Sequence, residues 1–131
     1  NSIAQSASVE ALLGYIQKDK DFLKTMVAEF SKRRKYMVER INNMQYLSCN
    51  LPQGAFYVFV DISKTFNMQC NGRLIKNSTD FAQVLLENFH VAVVPGVAFG
   101  TDNYIRLSYA TSMKNIEEGL DRIEQFVLSL M

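Results

Sequence analysis

The sequence predicts an α+β fold: a small mixed β-sheet packed with helices and preceded by a long amphipathic helix. Three observations carry that prediction. Segments of helical period and segments of strand character follow one another as helix, long helix, strand, loop, helix, strand, strand, helix, the order of helices layered on a small sheet. The 131 residues are 48% hydrophobic and 11% aromatic, enough for one ordinary core and one domain over residues 1–131. No internal repeat or low-complexity tract interrupts them.

The opening segment SIAQSASVEALLGYI sets Ala4, Ala7 and Ala11 at helical spacing beside Ile3 and Leu12, so it reads as a helix with a small face that admits close approach. Gly14 and the polar run QKDKD then make an end or a kink. Residues 22–42 repeat Phe22, Met26, Phe30, Met37 and Ile41, with Val27 and Val38 widening the stripe, the pattern of a long amphipathic helix. After the break Leu51-Pro52-Gln53-Gly54 comes AFYVFVDI, aromatic or β-branched at nearly every position and therefore a central strand covered on both faces. Residues 63–77 are polar and without a clear period, and read as a loop. Ser78 or Thr79 caps a helix bearing Phe81, Val84, Leu85 and Phe89 on one side. The short strand VAVV precedes Pro95-Gly96, the strand YIRLSYA follows, and residues 113–130 form a last helix with Ile116, Leu120, Ile123, Val127 and Leu130 on one face. Ser112 is its N-cap, with Asn115 where a glutamate would complete a capping box.

Charge and composition exclude several function classes. Fourteen lysines and arginines against 13 acidic residues leave a net charge of +1, which gives no electrostatic reason to expect nucleic acid or an anionic membrane. The basic run Lys32-Arg33-Arg34-Lys35 reads as the solvated or interface side of a helix. Cys49 and Cys70 admit one disulfide, but so few sulfurs in a core-rich domain fit reduced thiols in a cytoplasmic protein better. No metal spacing is present, and no apolar run approaches the roughly 18 residues of a membrane span. The single histidine, His90, has no nucleophile context and reads as a helix-to-strand junction residue. GVAFG lacks the glycine pattern and the Lys-Ser/Thr of a phosphate-binding loop. The chain opens on NSIAQS without an initiator methionine, as expected of a fragment or a processed chain.

What remains is Arg106, set between Ile105 and Leu107. Strand alternation places Ile105, Leu107 and Tyr109 on one face and Tyr104, Arg106 and Ser108 on the other. A guanidinium on a rigid strand among hydroxyl groups can offer its planar fork to a carboxylate. Three partners are open to it: an internal acid such as Asp61 at the end of the neighbouring strand, water, or a carboxylate from outside the chain.

The combination LPQGAFYVFVDIS, VAVVPGVAFG, YIRLSYATS and IEEGLDRIEQF, with SIAQ at the start, resembles the C-terminal small domain of class I aminotransferases of pyridoxal-phosphate fold type I. The bacterial aspartate aminotransferases are the group it resembles most. The resemblance covers essentially all 131 residues. It implies the small-domain architecture, with residues 1–18 as a helix linking from an absent large domain. It also implies a parent enzyme that moves an amino group between L-aspartate and 2-oxoglutarate through pyridoxal phosphate, as a cytoplasmic homodimer.

By the same resemblance Arg106 binds the substrate α-carboxylate and closes the domain over the substrate. Phe56, the aromatic of GAFY, flanks the substrate, or else packs in the core of a central strand. The Schiff-base lysine belongs to the large domain, and none of Lys18, Lys20, Lys24, Lys32, Lys35, Lys64, Lys76 or Lys114 stands in its motif. The resemblance therefore implies no catalytic or cofactor-binding residue in this segment, no cofactor bound to it and no activity alone. Two alternatives stay open: a class I aminotransferase of aromatic or broad specificity, and a non-catalytic binding domain standing alone. With a large domain removed, apolar faces of the first two helices are expected to be exposed and to favour nonnative association.

Overall fold

Ser2–Gln17 forms α1 and Lys20–Asn42 forms α2 in a computed structural model that describes residues 1–17 and 20–131. α1 continues through Gly14, where an end or a kink is expected; one helical glycine costs only about 1 kcal/mol and does not by itself stop a helix. Lys18 and Asp19, in the polar run and at the end of the 1–18 segment, lie outside the described residues. The chain divides into two compact units, Asn1–Ser31 and Lys32–Met131. In the first, the small face of Ala4, Ala7 and Ala11 is exposed, and so are Ile3, Leu12, Phe22 and Val27.

In the second unit the apolar stripe of α2 is realised at its end, where Met37 and Ile41 are buried. Lys32 and Lys35 of the basic run are exposed, while Arg34 Nη1 donates to the Pro52 carbonyl at 2.8 Å. That bond fixes the Leu51–Gly54 break against the helix. A strand the sequence did not signal, β1 (Ser48–Cys49), follows. The Asn42 side chain stands in for a neighbouring backbone, accepting from Cys49 N–H at 2.9 Å and donating to its carbonyl at 3.1 Å.

The aromatic segment forms β2 (Tyr57–Asp61). Val58 and Val60 are buried, but Tyr57, Phe59 and Asp61 on the other face are only half-buried. Burial on both faces is therefore realised on one; aromatic rings pack against one another on the second. The 63–77 segment is more ordered than the loop expected. It holds a 3₁₀ turn at Ser63–Thr65 and a hairpin of β3 (Gln69–Cys70) and β4 (Arg73–Leu74). Its turn residues Asn71 and Gly72 both have positive φ, 51° and 78°, as a two-residue hairpin turn requires. The chain end pairs with this hairpin through Gln69 N–H to the Met131 carbonyl (2.8 Å) and the reciprocal bond (3.1 Å).

α3 spans Ser78–Phe89. Its cap is neither Ser78 nor Thr79 but Asn77, whose Oδ1 accepts from Asp80 N–H at 2.8 Å; extended backbone at Asn77 aims its amide back at the first turn. His90 is the junction expected, a C-cap with φ 58° whose N–H bonds to the Leu86 carbonyl. β5 (Val94–Pro95) and β6 (Tyr104–Ser108) follow, then α4 (Met113–Leu128), capped by Ser112 as expected. The main sheet runs β1-β2-β6-β5, and the mixed sheet of the sequence narrows to one antiparallel in every pairing.

One face of this sheet makes the core. Val58 stands opposite Leu107 and Val60 opposite Ile105, and α3 and α4 cover them with Phe81, Val84, Leu85, Ile116, Leu120 and Ile123, all buried. Phe126 seals the two helices, edge-on to Phe81 at 4.9 Å. Arg40 ties α2 to α4 with ion pairs to Asp121 (2.7 Å) and Glu124 (3.0 Å), and the Asp121 hydrogen bond raises its guanidinium further above the usual range. The opposite face of the sheet is left for other work.

Candidate functional site

That opposite face centres on Arg106. β6 lies between β2 and β5, so Arg106 faces Phe59 on one side and Val94 on the other. The alternation read from the sequence holds: Ile105, Leu107 and Tyr109 are buried, Tyr104 and Arg106 half-buried and Ser108 exposed. What alternation within one strand did not show is how aromatic the face becomes once β2 is paired. The Arg106 guanidinium carbon sits 4.2 Å from the Tyr57 ring centre and 4.5 Å from that of Phe99. Phe59 stacks on Tyr104 at 4.8 Å with planes 2° apart and meets Phe99 edge-on at 6.0 Å.

Two rings bracket a cation whose own edge is left available. Each such contact is worth on the order of 0.5–2 kcal/mol. Among the described residues no carboxylate pairs with it. Asp61, the internal partner considered from the sequence, stands across from Tyr104 and spends its Oδ1 on the Ser63 N–H at 2.8 Å. The internal ion pair is thus replaced by an aromatic cradle. It holds the charge without neutralising it, leaving its donors for a second species.

Arg106 also lines a pocket of about 330 Å³ with Tyr57, Val94, Ser108, Thr111 and Asn115, at the small end of the range for ligand sites. Apolar residues from the core face, Leu107 and Ile116 among them, complete it. Its lining thus comes from both faces of the sheet, and the chemically distinctive wall is the guanidinium.

Phe56 lies just before β2 and is exposed at 43%, so it does not pack in the core. Its ring is 4.5 Å from that of Tyr57. Tyr109 holds this entry to the strand: its N–H donates to the Phe56 carbonyl at 3.0 Å and its hydroxyl to the Ala55 carbonyl at 2.8 Å, with Ala55 at φ 57°. Of the two residues singled out from the sequence, Arg106 occupies the site itself and Phe56 its margin. The rings that touch the guanidinium, Tyr57 and Phe99, were missed. Tyr57 was within reach of pattern reading, since it shares the Phe59 face and lies diagonal to Arg106 once the strands pair. Phe99 comes from a turn and carried no period.

Among the described residues no group of three or more histidines, cysteines or acids could hold a metal ion, and no helix is long and apolar enough to cross a membrane. Cys49 and Cys70 are both free thiols.

Residues 1–123 match the sequence profile of the family described as aminotransferase class I and II. The chain is 44% identical over 125 residues to a probable aspartate/prephenate aminotransferase of Rickettsia felis, covering 95% of this chain and 30% of that protein. It is also 44% identical over 124 residues to an aspartate aminotransferase of Rhizobium meliloti, covering 94% and 29%. A crystal structure of the aspartate aminotransferase from Rhizobium meliloti superposes on all of this chain with a TM-score of 0.90 at 42% identity, and the match takes up 32% of that chain. The chain thus spans about 30% of the length of the curated relatives it matches.

Proposed function

Since the chain belongs to the class I and II aminotransferase family, we propose that it is the C-terminal segment of an aspartate aminotransferase and supplies the arginine that binds the substrate α-carboxylate. The observation that carries this is Arg106, half-buried, bracketed by Tyr57 and Phe99 and without a carboxylate partner among the described residues. A substrate carboxylate accepting two parallel hydrogen bonds from the guanidinium edge completes the ion pair that the fold leaves open. The neighbouring rings reduce the water around the cation, which strengthens those bonds. Orientation of the substrate is this segment's share of the chemistry. Engagement of the carboxylate also draws the domain closed over the substrate, and Phe56 at the margin flanks it.

Pyridoxal phosphate supplies the family's electron sink, but among the described residues no lysine is placed to hold it. Lys24, Lys32, Lys35, Lys64, Lys76 and Lys114 are exposed, and none lines the Arg106 pocket. The anchor for the cofactor belongs to the remainder of a cytoplasmic, homodimeric parent, and the 131-residue chain does not turn over alone. L-Aspartate and 2-oxoglutarate are the proposed substrate pair. A broader specificity is the second reading, supported by the aspartate/prephenate name of the Rickettsia relative.

The test is Arg106→Ala in the full-length enzyme. Loss of two charge-assisted bonds at roughly 1.5–3 kcal/mol each lowers kcat/KM for amino-acid substrates by about 100-fold or more, with cofactor absorbance unchanged. Arg106→Lys keeps the charge without the fork and recovers only part of the loss. Unaltered kinetics in Arg106→Ala would overturn the assignment.

A further inference from the structure

Phe99 reaches Arg106 from the 3₁₀ turn Gly96–Phe99, a surface turn between β5 and β6. Phe99 is 46% exposed and, besides the guanidinium, meets the Phe59 ring edge-on at 6.0 Å, which leaves much of its placement to the turn that carries it. Its hold comes from beneath the turn. Ser78 is fully buried, and because Asn77 caps α3, the Ser78 hydroxyl is free for other partners. It accepts from Val97 N–H at 3.2 Å, inside the turn, and donates to Asp102 Oδ1 at 2.6 Å, beyond its end. The same carboxylate oxygen accepts from Ser78 N–H at 3.0 Å. One side chain therefore clasps both ends of the segment that presents Phe99.

The backbone leaves that segment no slack. Thr101 N–H bonds to the Gly96 carbonyl and Gly100 N–H to that of Val97, each at 3.1 Å. A Cβ on Gly96 would lie 2.2 Å from the Thr101 carbonyl oxygen and 2.3 Å from that of Tyr104, so only glycine permits this closeness. A short O–H···O⁻ bond is among the stronger hydrogen bonds available to a side chain. Here it connects the first turn of α3 to a ring that shapes the ligand site.

We propose that Ser78 and Asp102 form a latch that positions Phe99 over Arg106, and that this latch sets the affinity of the site for carboxylate substrates. The inference rests on the carboxylate-binding role proposed above. Without the latch the turn loosens, Phe99 leaves the guanidinium, and Arg106 must be ordered at the moment of binding. Ordering one long side chain weakens binding roughly three- to tenfold. Neither Ser78 nor Asp102 touches substrate in this arrangement; both are positioning residues.

The experiment measures kcat and KM in the full-length enzyme for Ser78→Ala, Asp102→Ala, Asp102→Asn, Phe99→Ala, the Ser78→Ala/Phe99→Ala pair and Arg106→Ala. Ser78→Ala and Asp102→Ala raise KM for both amino-acid and 2-oxo-acid substrates roughly three- to tenfold and keep kcat within about twofold. Asp102→Asn, which retains an oxygen acceptor, returns KM to within about twofold of the unmodified enzyme. Phe99→Ala reproduces the increase, and adding Ser78→Ala to it produces no further rise, as expected of residues acting through one contact. Asp102 is exposed, so its variants fold even where the buried Ser78→Ala does not. Unchanged KM in both alanine variants, failure of Asp102→Asn to restore it, or additive increases in the double variant would each overturn the latch. Those results alongside a large Arg106→Ala loss leave the carboxylate site standing. An inert Arg106→Ala removes the carboxylate site and the latch with it.

Discussion

Cationic and thiol side chains in this domain take opposite roles according to what surrounds them. The Arg106 guanidinium finds surroundings that suit a cation in the ring faces of Tyr57 and Phe99. Cys49 loses access to its charged form because its surroundings offer nothing to a thiolate: burial alone pushes the thiol up from 9.0 to about 11. A neutral thiol is a poor nucleophile, so Cys49 is silent at neutral pH. Its alkylation by iodoacetamide, followed by mass mapping, is predicted to stay slow at pH 8 and to accelerate only toward pH 11. The thermodynamic sign follows from the same shift. The unfolded chain releases the proton near pH 9 while the folded chain holds it, so the stabilisation is complete below about pH 9 and is lost as pH rises through about 11. Labelling at pH 8 as fast as that of an unfolded control would contradict the burial seen at Cys49.

Among the elements, α3 shows most plainly what the sequence could and could not reveal. Its apolar face was legible because Phe81, Val84 and Leu85 recur at helical spacing, and all three are buried. Its start was displaced by one residue because Asn77, Ser78 and Thr79 are all competent caps and only the fold distinguishes them. Asn77 takes the cap, and Ser78 goes to Asp102, 24 positions away. The cap contributes to stability: Asn77→Ala is predicted to destabilise the domain by about 1 kcal/mol, read as a lower urea midpoint with an unchanged m-value. Asn77→Ser or Asn77→Asp retains most of that stability, and an alanine variant as stable as the parent would show that the cap contributes nothing. The same distinction runs through the site. Alternation along a single strand was enough to single out Arg106, though not its partner, whereas Tyr57 needed the register of β2 against β6, and Phe99 needed the fold of a turn that carries no period. β1 and the β3–β4 hairpin went unread because strands of two residues have no period to detect.

At the scale of the whole molecule, burial is distributed very unevenly along the chain. Among the described residues every buried apolar side chain lies at Met37 or later, and none of those described within residues 1–31 is buried. Since burial of apolar surface is the dominant favourable term in folding, the unit Lys32–Met131 holds what makes the fold cooperative. The contacts that fasten the retained part of α2 also survive a cut at residue 32: Arg34 to the Pro52 carbonyl, and Arg40 to Asp121 and Glu124. A chain beginning at Lys32 is therefore predicted to fold by itself. Its urea midpoint, followed by circular dichroism at 222 nm, falls within about 0.5 M of that of the 131-residue chain, the shift expected when less than about 0.5 kcal/mol is lost at an m-value of 1–3 kcal/mol/M. The helical signal lost with residues 1–31 appears as a smaller amplitude. Exposed Ile3, Leu12 and Phe22 leave with the first unit, so the shorter chain also remains monomeric to higher concentration in sedimentation experiments. A midpoint displaced by 1 M or more, or loss of the cooperative transition, would show that residues 1–31 contribute to the core and would overturn this division of labour.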